Sequence, residues 1–214
     1  MDKLSDKKER LINSLINERV LKTDLVIAAF RKIHRENFVP PGVREYSYID
    51  EPLPIGEGQT ISQPRTVAAM TEALDANPGQ KILEIGAGSG YQAAILSEIV
   101  GPKGRIISTE HLEKLARTAS DNLRKTGYMN VSVVEWDGSQ GYENEAPYDR
   151  IIVTAAAPSL PQPLVNQLKE GGKMVIPVDD EMFLIEKDDN GRVKKTHLGF
   201  YAFVPLIGKH GYKF

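Results

Sequence analysis

From Gln80 onward the chain alternates apolar runs with longer amphipathic ones. KILEI (81–85) precedes YQAAILSEIV (91–100), and RIISTE (105–110) precedes LEKLARTASDNLRK (112–125). VSVVEW (131–136) leads through a loop to YDRIIVTAA (148–156), and a short helical stretch, LPQPLVNQL (160–168), comes before GKMVIPV (172–178). Short β-type runs separated by helix-length segments predict parallel strands joined by crossover helices, in a doubly wound α/β sheet. After Val178 the pattern changes. EMFLIEK (181–187) follows too closely for a crossover, which needs a dozen or more residues. Asn190-Gly191 then gives a hairpin signal before RVKKTHLGFYAFVPL (192–206). An antiparallel edge is therefore expected, making seven strands.

Upstream, Leu11, Ile12, Leu15 and Ile16 predict a helix over residues 5–20. Thr23-Asp24 can cap a second one, running through Val26, Ala29, Phe30 and Ile33. Residues 35–60 are proline-rich and aperiodic, and connections of that length tend to be functional. Ser62 and Pro64 supply a small polar cap and a first-turn proline for a third helix, TVAAMTEAL (66–74). With no repeat or linker, the 214 residues are expected to form one domain: N-terminal helices and a loop (1–78), an α/β core (79–178) and C-terminal antiparallel strands (179–214).

Composition narrows the function. A net charge of −2 lacks the basic footprint of a nucleic-acid binder. The absence of cysteine removes disulfides, thiolate metal sites and cysteine nucleophiles. No apolar run approaches the roughly 18 residues of a membrane span, and no secretory signal is visible. A cytoplasmic enzyme, monomeric and without metal, nucleic-acid or membrane partner, is the expectation.

Gly86, Gly88 and Gly90 lie at a strand-to-helix junction, where glycine permits positive φ and close approach of a ligand. Their spacing is G-x-G-x-G, not the G-x-G-x-x-G of dinucleotide binders. Glu84 stands two residues before the first of them. Glu110 closes the next strand, where an acid can accept from ribose hydroxyls. Asp137-Gly138 ends the third, so successive strand ends converge on the crevice of such a sheet.

This segment, ILEIGAGSGYQAA, resembles the class I S-adenosylmethionine-dependent methyltransferases. The resemblance implies a Rossmann-like sheet binding S-adenosyl-L-methionine and releasing S-adenosyl-L-homocysteine. It places Gly86, Ala87, Gly88 and Gly90 at the methionine part, Glu110 at the ribose, and Asp137 with Gly138 at the adenine. Glu84 belongs to the same motif. His111 joins the cofactor set, although an exposed loop histidine is the plain reading of that residue.

A second motif, LPIGEGQTISQP (53–64), is outside that general pattern. Together with YDRIIVTAAAP, LKEGGKMVIPV and FVPL, it is similar to the protein-L-isoaspartate O-methyltransferase family. Thr109 departs from that pattern, being less apolar than expected. The resemblance implies methylation of the free α-carboxylate of L-isoaspartyl residues in damaged proteins and peptides, which then return towards aspartate through a succinimide. It designates Ser62 as the active-site residue. Thr60 and Ile61 shape the acceptor pocket, Gln63 lies near the cofactor, and Val204, Pro205 and Leu206 flank the peptide. Thr154 and Ala155, ending the fourth strand, face the reacting centre, and the small run Ala155–Ala157 leaves room there.

That chemistry needs little machinery. A carboxylate with a pKa of roughly 3.3–3.9 is already ionised at neutral pH and needs no general base. Alignment of oxygen, methyl carbon and sulfur then carries most of the acceleration, and Ser62 serves to orient the acceptor. Three rivals remain at this level. An NAD-dependent oxidoreductase conflicts with the glycine spacing. A nucleic-acid methyltransferase commonly carries Asn/Asp-Pro-Pro-aromatic where this chain reads TAAAP. A non-catalytic S-adenosylmethionine-binding module would lack turnover.

Overall fold

The computed structural model describes residues 3–213. Helices α1 (Leu4–Asn17) and α2 (Asp24–Lys32) lead into two 3-10 turns, Arg35–Asn37 and Pro41–Tyr46. Strands β1 (Leu53–Gly56) and β2 (Gln59–Ile61) form a separate antiparallel hairpin before α3 (Pro64–Leu74). The alternating series follows as β3 (Lys81–Ile85), α4 (Tyr91–Val100), β4 (Arg105–Glu110), α5 (Glu113–Lys125) and β5 (Val131–Glu135). It continues through β6 (Tyr148–Val153), α6 (Gln162–Gln167), β7 (Leu168–Val178), β8 (Glu181–Lys187) and β9 (Val193–Phe200).

The main sheet has seven strands in the order β5-β4-β3-β6-β7-β8-β9. The first five pair in parallel, and β7-β8-β9 are antiparallel, as the short connection after Val178 requires. Strand order reverses between β3 and β6, which places the crevice at the C-terminal ends of β3, β4, β5 and β6.

Period-two alternation sends the central strands into two cores. Ile82, Ile106, Ile152 and Val175 pack with α1–α4. Leu83, Ile85, Ile107, Ile151, Val153, Met174 and Ile176 pack on the opposite face with Leu164 and Val165 of α6. Helix α4 is the centre of the first layer and is buried almost all round, hence its lack of a polar face.

Three expectations about segment ends need correction. The first helix stops at Asn17 instead of running to residue 20. Thr23 and Ser62 do not cap the helices they precede by their side chains. Remote carboxylates do the work: Glu72 Oε1 accepts from the Lys22 and Thr23 amides at 2.7 and 3.0 Å, and Asp50 Oδ1 accepts from the Arg65 amide at 2.8 Å. Finally, the last strand ends at Phe200 and not at Leu206, because its partner β8 begins at Glu181, opposite Phe200. Beyond that point the chain crosses to β6, where Val204 O accepts from Ala156 N and Leu206 N donates to Ala156 O.

Gly90 shows how closely the layers meet. Its φ is +87°, and an added Cβ would lie 3.1 Å from Leu123 Cγ and 3.2 Å from the Ala119 carbonyl oxygen on α5. Gly127, also at φ +87°, has no atom of the described residues within 4 Å of such a Cβ. Gly90→Ala should therefore cost about 1–3 kcal/mol, visibly more than Gly127→Ala. Thermal denaturation of the two variants checks this, and equal losses would show that the α4–α5 contact imposes no constraint.

Candidate functional site

The backbone leaving β3 turns three times through positive φ, at Gly86 (+95°), Gly88 (+53°) and Gly90 (+87°). This turn is fastened to the end of β4. Thr109 O accepts from Gly86 N at 2.8 Å and from Ala87 N at 3.0 Å, and Glu110 Oε2 accepts from Gly88 N at 2.9 Å. Thr154, at the end of β6, closes the other side by donating from Oγ1 to the carbonyls of Ile85 and Gly86. A Cβ at Gly86 would run into that hydroxyl. The polar character of Thr109 also has a cause: its side chain is buried and its Oγ1 donates to Glu84 O at 3.3 Å.

These strand ends line a cleft that is open to solvent. The cleft gathers Thr60, Ile61 and Ser62 from the hairpin side, Gly86, Ala87 and Gly88 from the turn, and Glu110 and His111 from β4. Gly138, Thr154 and Ala155, and then Val204, Pro205 and Leu206 complete it. The hairpin spans it: Ile55 lies against Gly88, and Glu57 at its tip pairs with Lys114 of α5 at 2.6 Å.

Ser62 stands one residue before Gln63, the N-cap of α3, and the capping there is done by Asp50. That carboxylate caps α3 through Arg65 N and also holds the Arg65 guanidinium at 3.0 Å. The Ser62 hydroxyl is engaged by no hydrogen bond among the described residues, and it faces the cleft half-buried.

Four residues expected at the cofactor lie off the cleft wall. Gln63 turns away and donates from Nε2 to Asp50 O at 2.8 Å. Gly90 sits behind the turn, against α5. Glu84 is fully buried below it, with Ser108 Oγ donating to Oε2 and no partner for Oε1 among the described residues. Asp137 is committed to other donors: Ser139 N and Oγ on Oδ1, and Gln140 Nε2 and Lys209 N on Oδ2. A carboxylate has about four acceptor positions, so none is left for a ligand.

Other residues that line the cleft are not among the expected site residues. Trp136, after β5, is fixed by Nε1 donating to Gly141 O at 2.8 Å and by an edge contact with Tyr142. Tyr91 opens α4 and is braced by Phe38 at 5.7 Å and by the buried Arg35 guanidinium 5.0 Å from its ring centre. Leu112 and Leu115 supply apolar surface beside Glu110. A hint for Trp136 was its place next to Asp137-Gly138, at a strand end that the sheet topology aims at the crevice.

Comparison with known proteins is consistent along the whole chain. A model of the family described as protein-L-isoaspartate(D-aspartate) O-methyltransferase matches residues 6–211. The protein-L-isoaspartate O-methyltransferase of Methanopyrus kandleri is 51% identical over 211 residues, 96% of this chain and 93% of its own. That of Methanothermobacter thermautotrophicus is 47% identical over 216 residues, 99% of this chain and all of its own (100%). Among solved structures, one named protein-L-isoaspartate O-methyltransferase matches with a TM-score of 0.86 at 33% identity, over 95% of this chain and 67% of that one. A Plasmodium falciparum protein crystallised with S-adenosyl-L-homocysteine matches with a TM-score of 0.84 at 25% identity, over 94% of this chain and 98% of that one.

Burial, reinforced by the nearby Glu110 and only partly opposed by Ser108, pushes the Glu84 carboxyl up to about 8. Folded protein therefore holds a proton there that the unfolded chain gives up near pH 4.5. Stability falls as pH rises from that value through about 8 and levels off above it. Glu84→Gln should remove this component, making the decline of Tm between pH 5 and 8 shallower by about 2–4 °C per pH unit. Parallel profiles for the two proteins would show that Glu84 is not protonated in the fold.

Proposed function

The chain belongs to the protein-L-isoaspartate (D-aspartate) O-methyltransferase family, and on that premise we propose how its residues share the work. The reaction moves a methyl group from S-adenosyl-L-methionine to the free α-carboxylate of an L-isoaspartyl residue, starting repair through the methyl ester and succinimide. The protein is thus an S-adenosylmethionine-dependent protein carboxyl methyltransferase.

The cleft suits that cofactor. At Gly86, a side chain would collide with Thr154, so the backbone itself forms the surface there. Two of the acceptor positions of Glu110 hold the Gly88 and Leu112 amides, at 2.9 and 3.0 Å. A carboxylate keeps about two more, enough for a pair of ribose hydroxyls. Gly138, Trp136, Leu112 and Leu115 provide the flat apolar end for adenine, with His111 at the rim. Bound there, the cofactor supplies an activated methyl group on a cationic sulfur.

Behind these residues, Glu84, Gly90, Gln63 and Asp137 act as supports: they shape the turn, the hairpin and the strand ends that touch the ligand. On the acceptor side, Ser62 donates its hydroxyl hydrogen to the isoaspartyl carboxylate and orients it. Thr60 and Ile61 flank it, Thr154 and Ala155 form the floor, and Val204, Pro205 and Leu206 receive the neighbouring peptide. No residue has to remove a proton, because the acceptor is ionised at neutral pH. Orientation and exclusion of water are the tasks left to the protein.

We read the chain as one cytoplasmic, monomeric domain acting on proteins and peptides, without a nucleic-acid or membrane partner. The net charge of −2 supports the lack of a nucleic-acid partner, and no helix among the described residues is long and apolar enough to cross a membrane. The observation that carries the site assignment is the unengaged Ser62 hydroxyl facing the cleft that the glycine turn and Glu110 also line.

Paired peptides differing only in L-isoaspartate versus L-aspartate test the function. Labelling from radioactive S-adenosylmethionine should be confined to the isoaspartyl peptide, and equal labelling of both would sink the assignment. Ser62→Ala should lower turnover about tenfold or more, the value of one hydrogen bond to a charged group, with cofactor affinity nearly unchanged. Collapse of cofactor binding with normal turnover at saturation would contradict the role given to Ser62.

A further inference from the structure

The segment after β9 is tied down at three strand ends. Val204 and Leu206 exchange backbone bonds with Ala156, just past β6, at 2.8 and 2.7 Å. Tyr212 Oη donates to Asp179, just past β7, at 2.7 Å. The third tie is at the end of β5, where Asp137 Oδ2 accepts from Lys209 N at 2.9 Å and Ser139 Oγ accepts from His210 N at 3.0 Å. Ser139 is fully buried, and its hydroxyl hydrogen goes to Asp137 Oδ1 at 2.6 Å. Between the ties the chain closes on itself, with Tyr212 N donating to Leu206 O at 2.7 Å.

This arrangement is close-fitting. Gly208 has φ +151°, and a Cβ there would run into the Asp137 carboxylate. A Cβ on Gly211 would run into Leu206 O. Residues 204–207 of this segment line the cleft, whereas Asp137, Ser139 and Gly208 do not. Both neighbours of Asp137, Trp136 and Gly138, line it as well. One residue therefore has its chain neighbours on the cofactor end and its side chain on the segment that forms the acceptor wall.

We propose that Asp137 and Ser139 are positioning residues for the acceptor: they clamp the segment 204–212 so that Val204, Pro205 and Leu206 stand where the isoaspartyl peptide binds. The proposal rests on the functional reading above. It gives the acid at the end of β5 a task other than binding adenine, and it gives the GKHGY stretch, outside every sequence motif, a task in the site. The clamp is built mainly from backbone N–H donors, so it tolerates changes at the exposed Lys209 and His210 side chains but not at Gly208.

Two variants approach the clamp from its two sides. Ser139→Ala removes the acceptor for His210 N, and Gly208→Ala displaces the segment from Asp137. Each is measured for initial rates with an isoaspartyl peptide, for S-adenosylhomocysteine affinity by calorimetry, and for amide hydrogen exchange over residues 205–212. KM for the peptide should rise about five- to tenfold in both, the effect of losing roughly one hydrogen bond. Turnover and cofactor affinity should stay within about twofold of the parent protein, and exchange at residues 207–210 should quicken. Unchanged peptide KM in active variants overturns the clamp alone, and so does cofactor affinity that falls in step with peptide KM. Parent protein that binds S-adenosylhomocysteine yet methylates no isoaspartyl peptide overturns the functional reading, and the acceptor role with it.

Discussion

The site depends on the fastening of the β3–α4 turn to the end of β4. A chain leaving a parallel strand for its helix must expose several amides at once, and buried amides need acceptors. Here the Thr109 carbonyl takes two of them and the Glu110 side chain takes a third. That arrangement is possible only because Gly86 and Gly88 accept positive φ and bring the backbone close to β4 and β6. The cleft is the space left above this fastening. If the turn were held by its own side chains, their atoms would fill the volume the ligand needs.

The acceptor side is organised by a second long-range contact. Asp50 caps α3 from outside the local sequence, fixes Arg65 and holds Gln63 through its carbonyl. A helix start usually consumes the side chain of the residue before it. By supplying a carboxylate from an earlier loop, the fold caps α3 without the side chain of its N-cap residue, Gln63, and the Ser62 hydroxyl one residue earlier is engaged by no hydrogen bond among the described residues. The hairpin β1–β2, pinned at its tip by Glu57 and Lys114, then stretches from this helix start to the first turn of α5. Exposed pairs of that kind contribute little stability, so the hairpin is held chiefly by Leu53 and Ile61, which are buried in the core shared with α1–α4.

Much of this was legible in the sequence, for physical reasons that also mark where it stopped. Strand and helix order follow from hydrophobic period, which is local. The antiparallel edge follows from the shortness of the link after Val178, also local. Gly86 and Gly88 at the cleft follow from strand-end geometry. What could not be read were contacts between segments far apart along the chain. The caps from Asp50 and Glu72 have no signature at the helices they serve. Asp137 looks like a ligand for the same reason it is a good anchor: it is an acid at a strand end. Only the fold brings Lys209 to it. Trp136 is ambiguous in the sequence, because a strand-terminal aromatic is compatible with ordinary packing.

The two acids nearest the turn show how environment divides roles between like residues. Glu84 and Glu110 lie on adjacent strands, two residues apart in register, since Glu84 pairs with Ser108. Glu110 sits at the strand end and collects two backbone amides. Glu84 is deeper, with a single hydroxyl donor and one oxygen without a partner among the described residues, and burial raises its carboxyl to about 8. At neutral pH its neutral form predominates. The cleft then presents one carboxylate to the cofactor side, not two. That difference matters for a reaction whose second substrate is itself an anion. A second buried negative charge below the turn would repel the acceptor carboxylate, with little solvent between them to weaken the effect. A neutral Glu84 fills the space under the turn without adding that charge.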